Sequence, residues 1–152
     1  MPVSLAISAI YHGAARSARD WLVRYLQERT PTNLGASLST LPRVQEHLGE
    51  IEALLYTSER LIYGLADDLE AGRPAGPVDP GLVKHVATNN SVAVVKKAID
   101  LVGNPGLFRS NPLERHFRDV LCGPVHTPQD DVVLQNVGLL AFKARPHTTG
   151  TF

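Results

Sequence analysis

Apolar residues recur at helical spacing through most of the chain. From about Val3 to Glu28 they fall at Ile7, Ile10, Tyr11, Ala14, Ala18, Trp21, Leu22, Tyr25 and Leu26, with Arg16, Arg19, Asp20, Arg24 and Glu28 mostly on the other side. Positions three and four apart share one face of a helix, so this predicts an amphipathic helix with one core-facing stripe. Small residues at Gly13, Ala14, Ala15, Ser17 and Ala18 predict close packing of another helix. Thr30 to Leu41 is rich in Thr, Ser, Gly and Pro and reads as a connector.

A second helix is predicted from Pro42 through Val44, Leu48, Ile51, Leu54, Leu55, Leu61, Ile62, Leu65 and Leu69, stopping at Ala71-Gly72-Arg-Pro. Unbroken, it would be roughly 45 Å long at 1.5 Å per residue. The breaker-rich loop Arg73-Pro-Ala-Gly-Pro-Val-Asp-Pro80 leads into a third helix, capped by Asp79-Pro80 and ending around Val102. Its apolar face uses Leu82, Val83, Val86, Ala93, Val94, Ala98 and Leu101, interrupted by Asn89-Asn90. Such amides either satisfy neighbouring backbone groups or face a ligand.

A Gly-Asn-Pro-Gly turn at 103–106 separates this helix from a short fourth one, about Pro112 to Leu121. Asn111 is the expected cap, Pro112 the first helical residue and Glu114 the partner that completes a capping box. After Cys122-Gly-Pro-Val-His-Thr-Pro128, a last helix carries Val132, Val133, Val137, Leu140 and Phe142. No strand-type alternation of useful length and no repeat appears. The expectation is an all-α fold, an antiparallel four-helix bundle over residues 1–144, with a loose tail over 145–152.

Composition narrows the function classes. A chain of 152 residues with 43% hydrophobic and 20% charged residues fits one soluble globular domain. A formal net charge of +0 gives no reason to invoke nucleic acid or an acidic membrane surface. The apolar runs are too short to span a bilayer. One cysteine, Cys122, allows no internal disulfide, fits a reducing cytoplasm and is expected to be a packed thiol, with a reactive role as the alternative.

Candidate chemistry is sparse. No Walker loop, dinucleotide-fold glycine fingerprint, HExxH or CxxC site occurs. The turn at 103–106, followed by Arg115 and Arg118, is either a corner between helices or a cradle for a diphosphate. Arg29 is a solvated cation at a helix end in the simplest view. Of six histidines, His126 alone is singled out, because it lies in a proline-flanked loop between helices. It is either a structural loop residue or a proton carrier or oxyanion partner.

The order of these segments is similar to the C-terminal helical domain of the acyl-CoA dehydrogenase superfamily. The resemblance rests on the small-residue helix Ala9-Ile-Tyr-His-Gly-Ala-Ala-Arg-Ser-Ala18, Arg29 after it, and Pro42-Arg-Val-Gln45. The turn Asp100-Leu-Val-Gly-Asn-Pro-Gly106 and the series Pro112, Arg115, Arg118, Asp119 complete it. It implies that Arg29, Asp100, Gly103 and Gly106 approach a flavin held mainly by a neighbouring subunit of a dimer or tetramer. Asp100 stands where the family has Gln, and Asn104 replaces a glycine. Arg29-Thr-Pro-Thr-Asn33 replaces Arg-x-Gln-Phe-Gly, so FMN joins FAD as a candidate cofactor. Many family dehydrogenases carry a glutamate base in a Tyr-Glu-Gly-Thr segment after Arg-Asp; the corresponding place here reads His126-Thr127-Pro128. That resembles the flavin-dependent monooxygenase branch, whose members take reduced flavin from a partner reductase and use a histidine here. His126 is then the expected catalytic residue. The family's flavin also contacts a β-domain and an N-terminal helical domain, and neither precedes Met1. The chain is therefore expected to act as a detached C-terminal domain that binds flavin weakly alone and lacks activity alone. The alternatives are a non-catalytic helical oligomerisation module and a dehydrogenase with a different base.

Overall fold

The computed structural model describes residues 3–143, all-helical with connecting turns. Five α-helices follow in order: α1 Val3–Glu28, α2 Pro42–Glu70, α3 Asp79–Val102, α4 Leu113–Val120 and α5 Asp130–Lys143. Short 3-10 turns at Leu38–Thr40 and Asn104–Leu107 lie in the connections. The tail expected to be loose, 145–152, lies outside the described residues.

Side-chain pairs fix the directions. Arg19 Nη1 donates to Glu52 Oε1 at 2.7 Å, and Arg16 lies 3.7 Å from Glu59. On the other side of α2, Asn90 Nδ2 donates to Ser58 Oγ at 3.1 Å and Lys97 Nζ to Glu50 Oε2 at 2.7 Å. Rising numbers on α1 and α3 thus meet falling numbers on α2. The bundle is antiparallel, with α1 and α3 running the same way. The short α4 closes against α1 and α3, whereas α5 touches α3.

The core explains these contacts. Ala15, Ala18, Leu22 and Leu26 of α1 join Ile51 and Leu55 of α2, Val94, Val95 and Ala98 of α3, and Leu113 and Val120 of α4. Leu5, Ile62, Leu65, Val83 and Ala87 form a second cluster. The fully buried alanines of α1 let α3 approach closely, as the small residues predict, and α3 packs more extensively against α1 than against any other helix. Each fully buried Leu, Ile or Val contributes about 1.5–3 kcal/mol before entropy is counted.

Several expected details differ. Ile10 is 68% exposed, while Leu5, Ser8, His12 and Ala15 occupy the buried side of α1. The apolar residues expected to seat the last helix mostly do not. Only Val133 of α5 is buried, and Phe142 is 92% exposed. Neither helix cap forms as expected. Asn111 instead donates from Nδ2 to the Pro105 carbonyl at 2.6 Å, and Glu114 pairs with Arg118, one turn on, rather than closing a capping box. Asp79 turns back to accept from Gly76 N at 2.7 Å.

His12 carries a clear pH signature. Both ring nitrogens are buried with no hydrogen-bond partner in the described structure. Burial lowers its pKa from 6.5, the Glu59 charge opposes this, and the Arg16 charge adds to it. The folded state therefore binds the proton less readily than the unfolded chain. This contribution to stability is full above about 6.5 and is lost as pH falls from there through the folded value. His116 shifts in the same direction, by burial and then by Arg115. Melting temperature should drop between about pH 7 and about pH 5, and His12→Leu should flatten that slope. A slope identical in His12→Leu and the parent chain would show that this imidazole is not the source.

Candidate functional site

The loop between α4 and α5 is clamped to α3 by a buried lysine. Lys84 is fully buried, and its Nζ donates to the Pro124 carbonyl and to Asp130 Oδ1, each at 3.1 Å. Asp130 Oδ2 accepts from Asn89 Nδ2 at 2.6 Å and lies 3.0 Å from His85 Nδ1. Burial pushes the Asp130 carboxyl upward, but hydrogen bonds from Asn89 and Lys84, with the charges of Lys84 and His85, outweigh it and hold the pKa below the usual value. Gly123 completes the clamp. A Cβ there would sit 2.9 Å from Thr88 Cβ, so the loop backbone lies directly on α3.

This clamp positions His126. Its backbone N–H donates to the Cys122 carbonyl at 3.1 Å, which folds the loop into a turn. The ring is exposed, and its Nδ1 lies 3.0 Å from the Tyr11 hydroxyl of α1. The two rings are tilted by 57° with centroids 5.6 Å apart. Burial, then Cys122 and Asp119, raises the Tyr11 pKa above 10.0. Cys122, expected to be packed, is exposed, with Sγ 3.9 Å from the Arg118 carbonyl.

The residues expected at a flavin lie elsewhere. Gly103 has φ of +73°, which glycine adopts without strain, and its N–H donates to the Ile99 carbonyl at 2.8 Å. Gly106 is buried, and a Cβ there would meet Ile99 Cα at 3.4 Å. Its N–H donates back to Gly103 O at 2.8 Å. These donors serve the corner itself, so neither is left for an anion nest. Asp100 is exposed and paired with Lys96 Nζ at 2.8 Å. Arg29 is exposed, and no carboxylate partner for its guanidinium occurs among the described residues.

Because α1 and α3 run in parallel, Arg29 and the 100–106 segment share one end of the bundle. A recess of about 190 Å³ at that end is lined by Arg43, His47, Lys97, Asp100 and Leu101. Glu50 bonds Lys97 at 2.7 Å and His47 at 3.2 Å, and these two hold its carboxyl below the usual range, Lys97 first. Tyr11, which carries His126, is eighteen residues back along α1, about 27 Å at the helical rise. The structure thus brings Arg29, Asp100, Gly103 and Gly106 to one end and leaves His126 well apart from them. Among the described residues there is no His, Cys, Asp and Glu cluster fit for a metal, and no helix long and apolar enough to cross a membrane.

Sequence reasoning missed Tyr11, taken as a stripe residue, and Lys84. Lys84, Thr88 and Ser91 form a buried row one helical turn apart, and the first two of them meet the loop. A lysine beside Val83, in register with Thr88, was the available signal.

Lys84→Met should destabilise the fold by about 3 kcal/mol, the low end for breaking a buried pair, because Asp130 keeps Asn89 and His85. Adding Asp130→Asn removes the stranded charge and should recover part of that loss in urea unfolding. A single variant within about 0.5 kcal/mol of the parent, the range of ordinary surface changes, would contradict the clamp.

Comparison with known proteins places this geometry. The family described as acyl-CoA dehydrogenase, C-terminal domain, matches residues 5–130. The putative acyl-CoA dehydrogenase YdbM of Bacillus subtilis is 37% identical over 142 residues, covering 92% of this chain and 37% of YdbM. Butyryl-CoA dehydrogenase from Megasphaera elsdenii superposes with a TM-score of 0.84 at 23% identity, over 91% of this chain and 36% of its own. PigA, solved with FAD and proline, gives 0.82 at 15% identity, over 92% of this chain and 36% of its own. The chain spans little more than a third of these relatives. The family model covers most of the bundle, and the chain belongs to the acyl-CoA dehydrogenase family as its C-terminal domain.

Proposed function

We propose that this chain works as the C-terminal domain of a flavin-dependent oxidoreductase, closer in chemistry to the monooxygenases than to the dehydrogenases, with His126 as its catalytic residue. The observation that carries this is the clamped loop after Arg118-Asp119, which presents an exposed imidazole followed by Thr127. No carboxylate stands at those two positions to take an α proton. The relatives named above as dehydrogenases do not themselves favour the monooxygenase branch; the histidine does.

The four residues assigned to flavin fit it unequally. Arg29, which has no carboxylate partner among the described residues, offers a cation to a phosphate, and Arg43 lines the recess at the same end, where the Lys97 charge is met by Glu50. Asp100 offers no donor, its carboxylate being engaged by Lys96, and Gly103 and Gly106 spend their N–H groups on the corner. A bound flavin, FAD or FMN, supplies the redox chemistry. This chain binds at its phosphate end through Arg29 and holds a proton at His126. The stretch of α1 between Tyr11 and Arg29, about 27 Å at the helical rise, fits the two sets serving different copies of a homo-oligomer, with flavin reaching across a protomer boundary. The exposed Val132, Leu134, Leu139, Leu140 and Phe142 of α5 support an assembly role as well. In the monooxygenase reading a flavin reductase is the partner that delivers reduced flavin.

In the complete flavoprotein, His126→Ala should cut hydroxylation by at least about 100-fold, the low end for losing a positioned acid or base, while leaving the flavin titration unchanged. Arg29→Ala should do the reverse and weaken flavin binding. Unchanged hydroxylation in His126→Ala would remove the assignment, and acyl-CoA-dependent flavin reduction without hydroxylated product would return the protein to dehydrogenase chemistry. The 152-residue chain alone should quench flavin fluorescence only weakly; tight stoichiometric loading would contradict dependence on other domains.

A further inference from the structure

The contact between Tyr11 and His126 decides which nitrogen of the imidazole carries its proton. Tyr11 Oη and His126 Nδ1 lie 3.0 Å apart, so one of them donates. A neutral imidazole has one N–H and one bare nitrogen, and the partner at one nitrogen fixes the other. Tyr11 is buried, and its hydroxyl has no second hydrogen-bond partner among the described residues. Were Nδ1 to hold the hydrogen, the phenol proton would have no acceptor among the described residues and would be left to solvent at the rim of the loop. Donation from the phenol satisfies both atoms at once. With its pKa raised above 10.0, first by burial, the hydroxyl keeps that proton at neutral pH.

We propose that Tyr11 is a positioning residue whose hydroxyl donates to Nδ1 and holds His126 as the Nε2–H tautomer. Nε2 makes no hydrogen bond to the protein among the described residues, and the ring is exposed. The donor is therefore available to a ligand. This rests on the reading of His126 as the group that meets a bound substrate, and it narrows that reading. Nε2 gives a hydrogen bond to an oxygen acceptor, such as a carbonyl or phenolate oxygen. It has no lone pair with which to take a substrate proton. The ligand class that fits is one that arrives with an electron-rich oxygen, rather than one that must be deprotonated at this ring.

The test is a long-range proton–nitrogen correlation spectrum of the 15N-labelled 152-residue chain, with His126 assigned by its loss in His126→Gln. The expected result is a protonated Nε2 and a bare, hydrogen-bonded Nδ1. Tyr11→Phe keeps the ring packing and removes the donor, so the two tautomers should exchange and the two nitrogen shifts should converge. A protonated Nδ1 in the parent chain, or an unchanged shift separation in Tyr11→Phe, overturns the inference. Turnover of His126→Ala in the flavoprotein bears on the functional reading alone, so its failure and the failure of the tautomer assignment are told apart.

Discussion

An ammonium taken fully out of water must be surrounded by acceptors, or it destabilises the fold by several kcal/mol. Lys84 meets that demand with the Pro124 carbonyl and the Asp130 carboxylate, which lie on the loop after α4 and at the first residue of α5. The requirement runs in both directions. The lysine needs the loop to be where it is, and the loop, which has few apolar side chains to bury, needs the lysine. Gly123 lets the backbone come down onto Thr88 closely enough for those bonds to form. His126 inherits its place from this arrangement, between the Cys122 carbonyl that turns the loop and the Tyr11 hydroxyl beneath it.

Much of the fold was legible in the sequence because helix formation and core packing are written in spacing. The ends of α1, α2 and α3 follow apolar periodicity broken by glycine and proline, and the small residues of α1 announce the close approach of α3. What was not legible depends on tertiary partners. Ile10 has the right spacing for the stripe, but it lies outside the arc that α2 and α3 cover. Asn111 has the chemistry of a cap, yet the nearby Pro105 carbonyl claims its amide. The apolar residues of α5 look like core residues, although among the described residues α5 meets α3 through Asp130 and buries only Val133.

The candidate site divides in the same manner. His126 stands out by its loop setting, and Arg29 by its place at a helix end. The partner that orients His126 comes from α1, more than a hundred residues earlier, and no local pattern marks Tyr11 as anything but a stripe residue. The glycines at 103 and 106 were ambiguous between a corner and a cradle. The structure gives both a sufficient reason in the corner, through the positive φ of Gly103 and the contact of Gly106 with Ile99. The proposed role at a flavin therefore rests chiefly on Arg29.

The shared direction of α1 and α3 has an electrostatic consequence. Two helices that finish together place two sets of unpaired carbonyls, each equivalent to about half a negative charge, at one end of the bundle. The start of α2 at that end contributes an opposing half charge. Arg29, one residue past the end of α1, sits in this field, whereas Lys96 and Lys97 lie further back on α3 and are already paired with Asp100 and Glu50. That end of the bundle is therefore nearly balanced in charge rather than strongly basic, with the Arg29 guanidinium as a cation held in the field of the carbonyls.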